Sequence, residues 1–193
     1  MIMVNVKEFD SPEINKREIH RYAGERTATD DFSRLIDECL EEIRDKLTYK
    51  VAFCEVDVNI SENAVDLGFI RVTSSALLKN LSGSRSAVIF AATVGLAPDR
   101  YVARNLVSSP TRALVFDAIG AERIESLCDA FCEDIGKDKK LRPRFSAGYG
   151  DLSIDIQKDI FRLLDCPKNI GLTLNDSLLM TPSKSVTAIV GIL

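Results

Sequence analysis

The chain has 193 residues, 46% hydrophobic and 28% charged, enough apolar material for one sizeable core and too much for a disordered or fibrous chain. Its 25 Lys and Arg against 29 Asp and Glu leave a net charge of −4, which disfavours nucleic-acid partners because their phosphates are held largely by cations. No apolar run approaches the roughly 20 residues of a membrane helix, the first residues lack a signal-peptide layout, and five cysteines set in apolar patterns point to reduced thiols. The expectation is one cytoplasmic domain spanning residues 1–193, with no membrane partner.

His20 is the only histidine and tryptophan is absent, so a His-rich zinc site is excluded, as is any hydrolytic triad whose base is not His20. Neither the G-x-G-x-x-G nor the G-x-x-x-x-G-K-[ST] phosphate fingerprint occurs.

In chain order, Asn15 is placed to cap a helix over residues 16–23, with Glu18 three residues on and Gly24 to end it. His20 lies inside that helix and reads as a packing histidine. Thr29 caps a second helix, whose Phe32, Leu35, Ile36, Cys39, Leu40, Ile43 and Leu47 recur every three or four residues. Residues 49–58 alternate like a strand, and 64–72 resemble its hairpin partner after the turn at Ser61-Glu62-Asn63. Thr73 or Ser74 starts a short helix through Leu78, and the Ser82-Gly83-Ser84 break precedes a continuous apolar strand over 87–93. Gly95 follows, where a backbone could approach a ligand.

A long helix is expected over 111–135, its stripe formed by Leu114, Ala118, Ala121, Ile124, Leu127, Cys128, Phe131, Cys132 and Ile135. Cys128 and Cys132 read as small core residues rather than metal ligands. Residues 137–151 have no periodicity and carry Arg142-Pro143-Arg144-Phe145-Ser146-Ala147-Gly148-Tyr149-Gly150. Two guanidinium forks, two aromatic rings and two glycines in a long loop suit ligand binding. Ser153 caps a helix through Leu164, and strands follow at 172–174, 177–180 and 185–192. Strands interspersed with helices and hairpins at both ends indicate an α+β fold, a mostly antiparallel sheet with helices packed around it.

The loop and the C-terminal third resemble a known family, the activation (reactivation) domain of vitamin B12-dependent methionine synthase. Arg144-Phe145-Ser146-Ala147-Gly148-Tyr149 is similar to the family's R-P-x-P-G-Y. Ile170-Gly171-Leu172-Thr173-Leu174-Asn175-Asp176-Ser177 is similar to I-G-x-x-L-T-E-S, Met180-Thr181-Pro182 to M-x-P, and Ser185-Val186-Thr187 to S-V-S. Residues 15–24, Ala91-Ala92-Thr93-Val94-Gly95 and Asp117-Ala118-Ile119-Gly120 look like the short bacterial activation subunits.

The resemblance implies a domain that binds S-adenosylmethionine and docks over the cobalamin of another protein, supplying a methyl group when the oxidised cobalt is re-reduced. It implies a corrinoid-binding methionine synthase protein as partner, with an electron-donor flavoprotein as candidate reductant. Arg144 would hold the ligand's carboxylate, Asp129 or Glu133 its ammonium group, and Ala147, Gly148 and Tyr149 would complete the site. Neither a catalytic nor a metal-ligating residue is assigned. Ile189-Val190-Gly191-Ile192 stands where long family members carry an aromatic pair, and this keeps a second reading open: a corrinoid-protein docking module that does not bind S-adenosylmethionine. On both readings the 181–184 turn and the 148–151 segment are expected at the docking surface.

Overall fold

A computed structural model describes residues 2–25 and 29–193. Four antiparallel strands form the main sheet: β1 (Asn5–Glu8), β2 (Lys50–Asp57), β6 (Ser86–Thr93) and β9 (Ser185–Ile192), in the order β1-β2-β6-β9. β2 and β6 pair over eight residues, Lys50 opposite Thr93 through Asp57 opposite Ser86, and β9 pairs with the far side of β6 from Ser86–Ile192 to Thr93–Ser185. The fold class is the α+β arrangement expected.

Helices cover both faces of this sheet. α5 (Pro110–Ile135) crosses one face, where Leu127, Cys128 and Phe131 meet Val51, Phe90 and Val190. On the other face α3 (Ser75–Asn80), α6 (Gln157–Leu164) and α7 (Cys166–Ile170) pack Leu77, Ile160, Leu164 and Cys166 against Ala52, Cys54, Ile89 and Ile189. β6 is buried on both faces because it is a central strand with a core on each side. A third cluster joins α1 (Lys16–Tyr22), α2 (Asp30–Ile43) and α4 (Ala97–Asn105) to the outer side of α5 through Ile19, Ile36, Ile43, Phe116 and Ile119.

The expected caps are in place. Asn15 accepts from the Glu18 amide, Thr29 from Phe32 and Ser74 from Leu77. The expected hairpin between residues 49–58 and 64–72 does not form. β2 is flanked instead by β1 and β6, whereas residues 59–72 fold into a separate sheet of two-residue strands, β3 (Asn59–Ile60), β4 (Val65–Asp66) and β5 (Arg71–Val72). Gly68 at φ +77° splits the 64–72 run, and the Asp66 side chain accepts its amide at 2.8 Å. In the C-terminal part β7 (Thr173–Leu174) pairs with β8 (Met180–Thr181), so most of the strand expected at 177–180 is turn. Gly95, at φ +81°, closes a turn whose Cβ direction is filled by the Thr48 hydroxyl, 2.5 Å from where a Cβ would stand.

Candidate functional site

Residues 141–145 add a partial fifth strand beyond β9. Leu141 and Phe145 bridge to Ile192 and Ile189, and the Arg142 amide donates to Gly191 O at 2.8 Å. Extended backbone sends successive side chains to opposite faces. Phe145 accordingly enters the core on the α6 side, while Arg144 turns to α5 on the other. The chain then closes a tight turn, with the Tyr149 amide on Ser146 O at 3.1 Å, the Gly148 amide on Leu152 O at 3.0 Å, and Gly148 at φ +85°.

Asp151 fastens this turn to the start of α3. Its carboxylate accepts from the Ser74 and Ser75 hydroxyls at 2.5 and 2.8 Å and from the Ser75 and Ala76 amides at 2.7 and 3.1 Å. The two serine hydroxyls, followed by the two helix-start amides, hold its carboxyl well below the usual carboxylate range. Next to it Gly150, at φ +57°, has no space for a side chain, because a Cβ would stand 2.7 Å from that of Ala76. The loop that looked irregular in the sequence is therefore fixed on both sides.

Arg144 is held between two carboxylates of α5, with Nη1 2.6 Å from Asp129 and Nη2 2.9 Å from Glu125. Partial burial works against its charge, but the acidic groups outweigh it and the guanidinium is raised above its ordinary value. Beside it runs a furrow between α5 and residues 12–18. One cavity of ≈ 780 Å³ has Asn15, Ser126, Asp129 and Glu133 in its lining. A second, of ≈ 330 Å³, shares the first three and adds Glu18, Glu122 and Glu125.

A buried ion pair builds the wall of this furrow. Arg123 and Glu122, each 1% exposed, meet through two bonds of 2.5 and 2.6 Å. Arg123 also donates to the carbonyls of Pro12 and Glu13 at 2.6 and 2.7 Å, and Glu122 accepts from the Asn15 amide at 2.9 Å and the Ser126 hydroxyl at 2.8 Å. Together they tie the segment that starts α1 onto α5. Burial alone would depress the Arg123 guanidinium, yet Glu122 holds it above its ordinary value.

Of the six residues expected at the site, Arg144 and Asp129 touch, and Glu133 follows one helical turn along the furrow. Ala147, Gly148 and Tyr149 follow Phe145 toward α3 instead. The Tyr149 ring lies 5.9 Å from that of Phe145 and is 58% exposed. The six thus straddle the sheet edge rather than share one pocket.

Sequence reasoning missed Glu122, Arg123, Glu125, Ser126 and Asp151. Four of these sit off the expected stripe of α5, a helix whose Val115, Phe116 and Ile119 are also off-stripe and buried. Apolar residues on more than one face were the available sign that the helix has more than one neighbour.

Arg142 plays a different part from Arg144, since its guanidinium donates to Ser82 O. His20 links the first two helices, with Nδ1 2.8 Å from Glu25, Nε2 3.3 Å from the Ser33 hydroxyl and its ring 5.7 Å from Phe32. Cys128 is buried in the α5 core and Cys132 partly so, and burial pushes both thiols up. Ile189 and Val190 are fully buried within β9. Among the described residues no group of three or more His, Cys, Asp or Glu side chains is arranged to hold a metal ion, and no helix is long and apolar enough to cross a membrane.

No protein-family model matches the chain, and no curated protein does. Among solved structures it is similar to the crystal structure of the MetH reactivation domain bound to AdoHcy, with a TM-score of 0.76 and 14% sequence identity over 98% of this chain and 78% of that one. The chain has the α+β fold of that reactivation domain.

Proposed function

We propose that this protein is a reactivation module that binds S-adenosylmethionine at the Arg144 end of the furrow and acts in trans on the corrinoid cofactor of a cobalamin-dependent methionine synthase. The observation that carries the reading is the shared fold with an AdoHcy-bound reactivation domain over 98% of the chain. The loop with the family-like motif supports it, lying in this fold against the acidic furrow.

S-adenosylmethionine presents one carboxylate, an ammonium, a sulfonium and an adenine. Arg144 is the cation that faces Asp129 and Glu125, and it keeps further N–H groups for a ligand carboxylate. Asp129 and Glu133 suit the ammonium, and the acidic lining as a whole favours the sulfonium charge. The Tyr149 ring is exposed on its rigid turn across the sheet edge from Arg144, so a ligand held by Arg144 reaches it with its adenine only by crossing that edge. The cobalamin belongs to the partner, and bound S-adenosylmethionine supplies the methyl group. What this chain contributes is position and shelter from water rather than acid–base chemistry. The setting is the cytoplasm, with an electron-donor flavoprotein as the reductant.

The decisive experiment mixes this protein with a cobalamin-loaded methionine synthase, S-adenosylmethionine and an electron donor, and follows the corrinoid absorbance. A faster spectral change than in its absence is the expected result; an equal rate overturns the reactivation role. A second reading, a docking module without S-adenosylmethionine binding, draws on two observations. The Arg144 fork is already engaged by two carboxylates, and Ile189 and Val190 are buried where a ligand would need aromatic rings. A stable complex with the partner together with no S-adenosylmethionine binding would select it.

A further inference from the structure

β1 is the open edge of the main sheet. At the opposite edge residues 141–145 lie against β9, whereas among the described residues β1 has no strand partner other than β2. The ladder fixes which groups of β1 face outward. Phe9 donates its amide to Tyr49 O at 2.9 Å, directly opposite it in the β1–β2 register, and antiparallel bonding alternates along a strand. Asn5 and Lys7 therefore bond to β2 as Phe9 does, and the N–H and C=O groups of Val4, Val6 and Glu8 point away from the sheet. The Val58 amide on Arg85 O agrees, since it turns the even-numbered residues of the β2 run to β6 and leaves the odd-numbered ones for β1.

The charged side chains of β1 do not guard this edge. A lysine on an edge strand commonly blocks further pairing, but Lys7 is drawn back onto α5, its Nζ 2.5 Å from Asp134 and 5.0 Å from the centre of the Phe9 ring. Glu8 is taken by Lys50 at 3.0 Å. What faces outward is backbone with apolar side chains beside it: Met3 is 72% exposed and Val6 47%. Only another extended strand offers the matching row of donors and acceptors.

This strand complements itself. In an antiparallel pair about a two-fold axis, with Asn5 opposite Asn5 of the second copy, the outward-bonding Val4 meets Val6 and Val6 meets Val4. Met3 lies along the Lys7 stem, and no two like charges stand opposite each other. With the other edge of the sheet occupied by residues 141–145, the pairing closes at two copies instead of running on into a fibre.

We infer that this edge is the interface for a second copy of the chain, joining two four-stranded sheets through their β1 strands into one continuous sheet. Residues opposite each other in such a pair point to the same face, so both α5 helices, and with them both furrows, stand on one side of the joined sheet. The inference does not rest on the function proposed above.

The test is sedimentation velocity of the full chain over a dilution series, with the wild type expected to run as a dimer that dissociates on dilution. V6P removes an N–H that the monomer leaves unbonded, so the melting temperature of the diluted protein should stay near that of the wild type. Self-association should weaken at least about tenfold, because each copy loses a bond at the contact. N5C places two thiols at the axis in a non-hydrogen-bonded pair, where Cα atoms stand about 4.5 Å apart. Mild oxidation should therefore lock it as a disulfide-linked dimer on a non-reducing gel, and M3C, opposite Lys7, should not link. A wild type that stays monomeric at its highest soluble concentration overturns the proposal. So does a dimer that V6P leaves intact and N5C does not lock, since it would use another face; both results leave the reactivation reading standing. If a monomeric wild type binds cobalamin-loaded methionine synthase and V6P abolishes that binding, the edge takes a strand of that protein and the proposal falls.

Discussion

Replacing Arg123 with Met removes the centre of the buried network behind the furrow. The substitution leaves the Glu122 carboxylate, 1% exposed, without its counter-charge, and frees the carbonyls of Pro12 and Glu13. Removing one partner of a buried ion pair costs about 3–5 kcal/mol. In a chain of this size each kcal/mol moves the melting temperature by roughly 2–4 °C, so differential scanning calorimetry should show a drop of roughly 6–20 °C. The double variant E122M/R123M should recover much of that loss, since replacing a whole buried pair with well-packed apolar groups is often neutral or better. Hydrogen exchange should locate the damage at the Asn15 amide, which donates to Glu122. A melting temperature for Arg123→Met within 2 °C of the wild type, with the Asn15 amide still protected, would refute the reasoning that this pair holds the wall.

Arg144→Lys keeps the charge but loses the fork, so S-adenosylmethionine affinity measured by calorimetry should fall by roughly 1.5–3 kcal/mol, while the melting temperature changes little because the pairs it breaks are partly exposed. Asp151→Asn should lower the melting temperature at neutral pH. The carboxyl is depressed in the folded state, so its stabilisation is present above its unfolded value of about 3.9 and is lost as the pH falls; the difference from wild type should shrink in melts run below about pH 4, and a difference that grows there would contradict the assignment. Gly150→Ala should also destabilise, by about 1–3 kcal/mol in denaturant titration, because φ +57° and the Ala76 contact both oppose a side chain. Cys39, Cys54 and Cys166 have thiols pushed up by burial to about 11, about 11 and about 12; a thiol reagent at pH 8 should modify partly exposed Cys132 first and these three only on unfolding.

The sequence made some of these features legible for local reasons. Asn15, Thr29 and Ser74 announce helix starts because a short polar side chain can close on the amide three residues later. β6 and β9 are apolar runs that need no knowledge of their neighbours. Pairing partners are another matter: β2 pairs over its full eight residues with β6 and over four with β1, whereas the adjacent 64–72 segment is interrupted at Gly68, and no local pattern records which distant strands take its place. α4 and α7 went unread because each is short and opens with Pro at its start, leaving too few turns for a period to show. Within the site, the motif located Arg144 but not its companions. Asp129 could be guessed from helical spacing, whereas Glu125 shows its part only through its ion pair with Arg144, and the Glu122–Arg123 pair acts through residues 12–15, more than 100 positions away.

Whether the furrow beside Arg144 takes S-adenosylmethionine is measured directly by a calorimetric titration of the free protein. Saturable binding that weakens in Glu133→Gln and Arg144→Lys is the result expected, with a stability gain of about 2.7 kcal/mol when the ligand is at 100 times its dissociation constant. No heat of binding and no change in melting temperature at saturating ligand would contradict it.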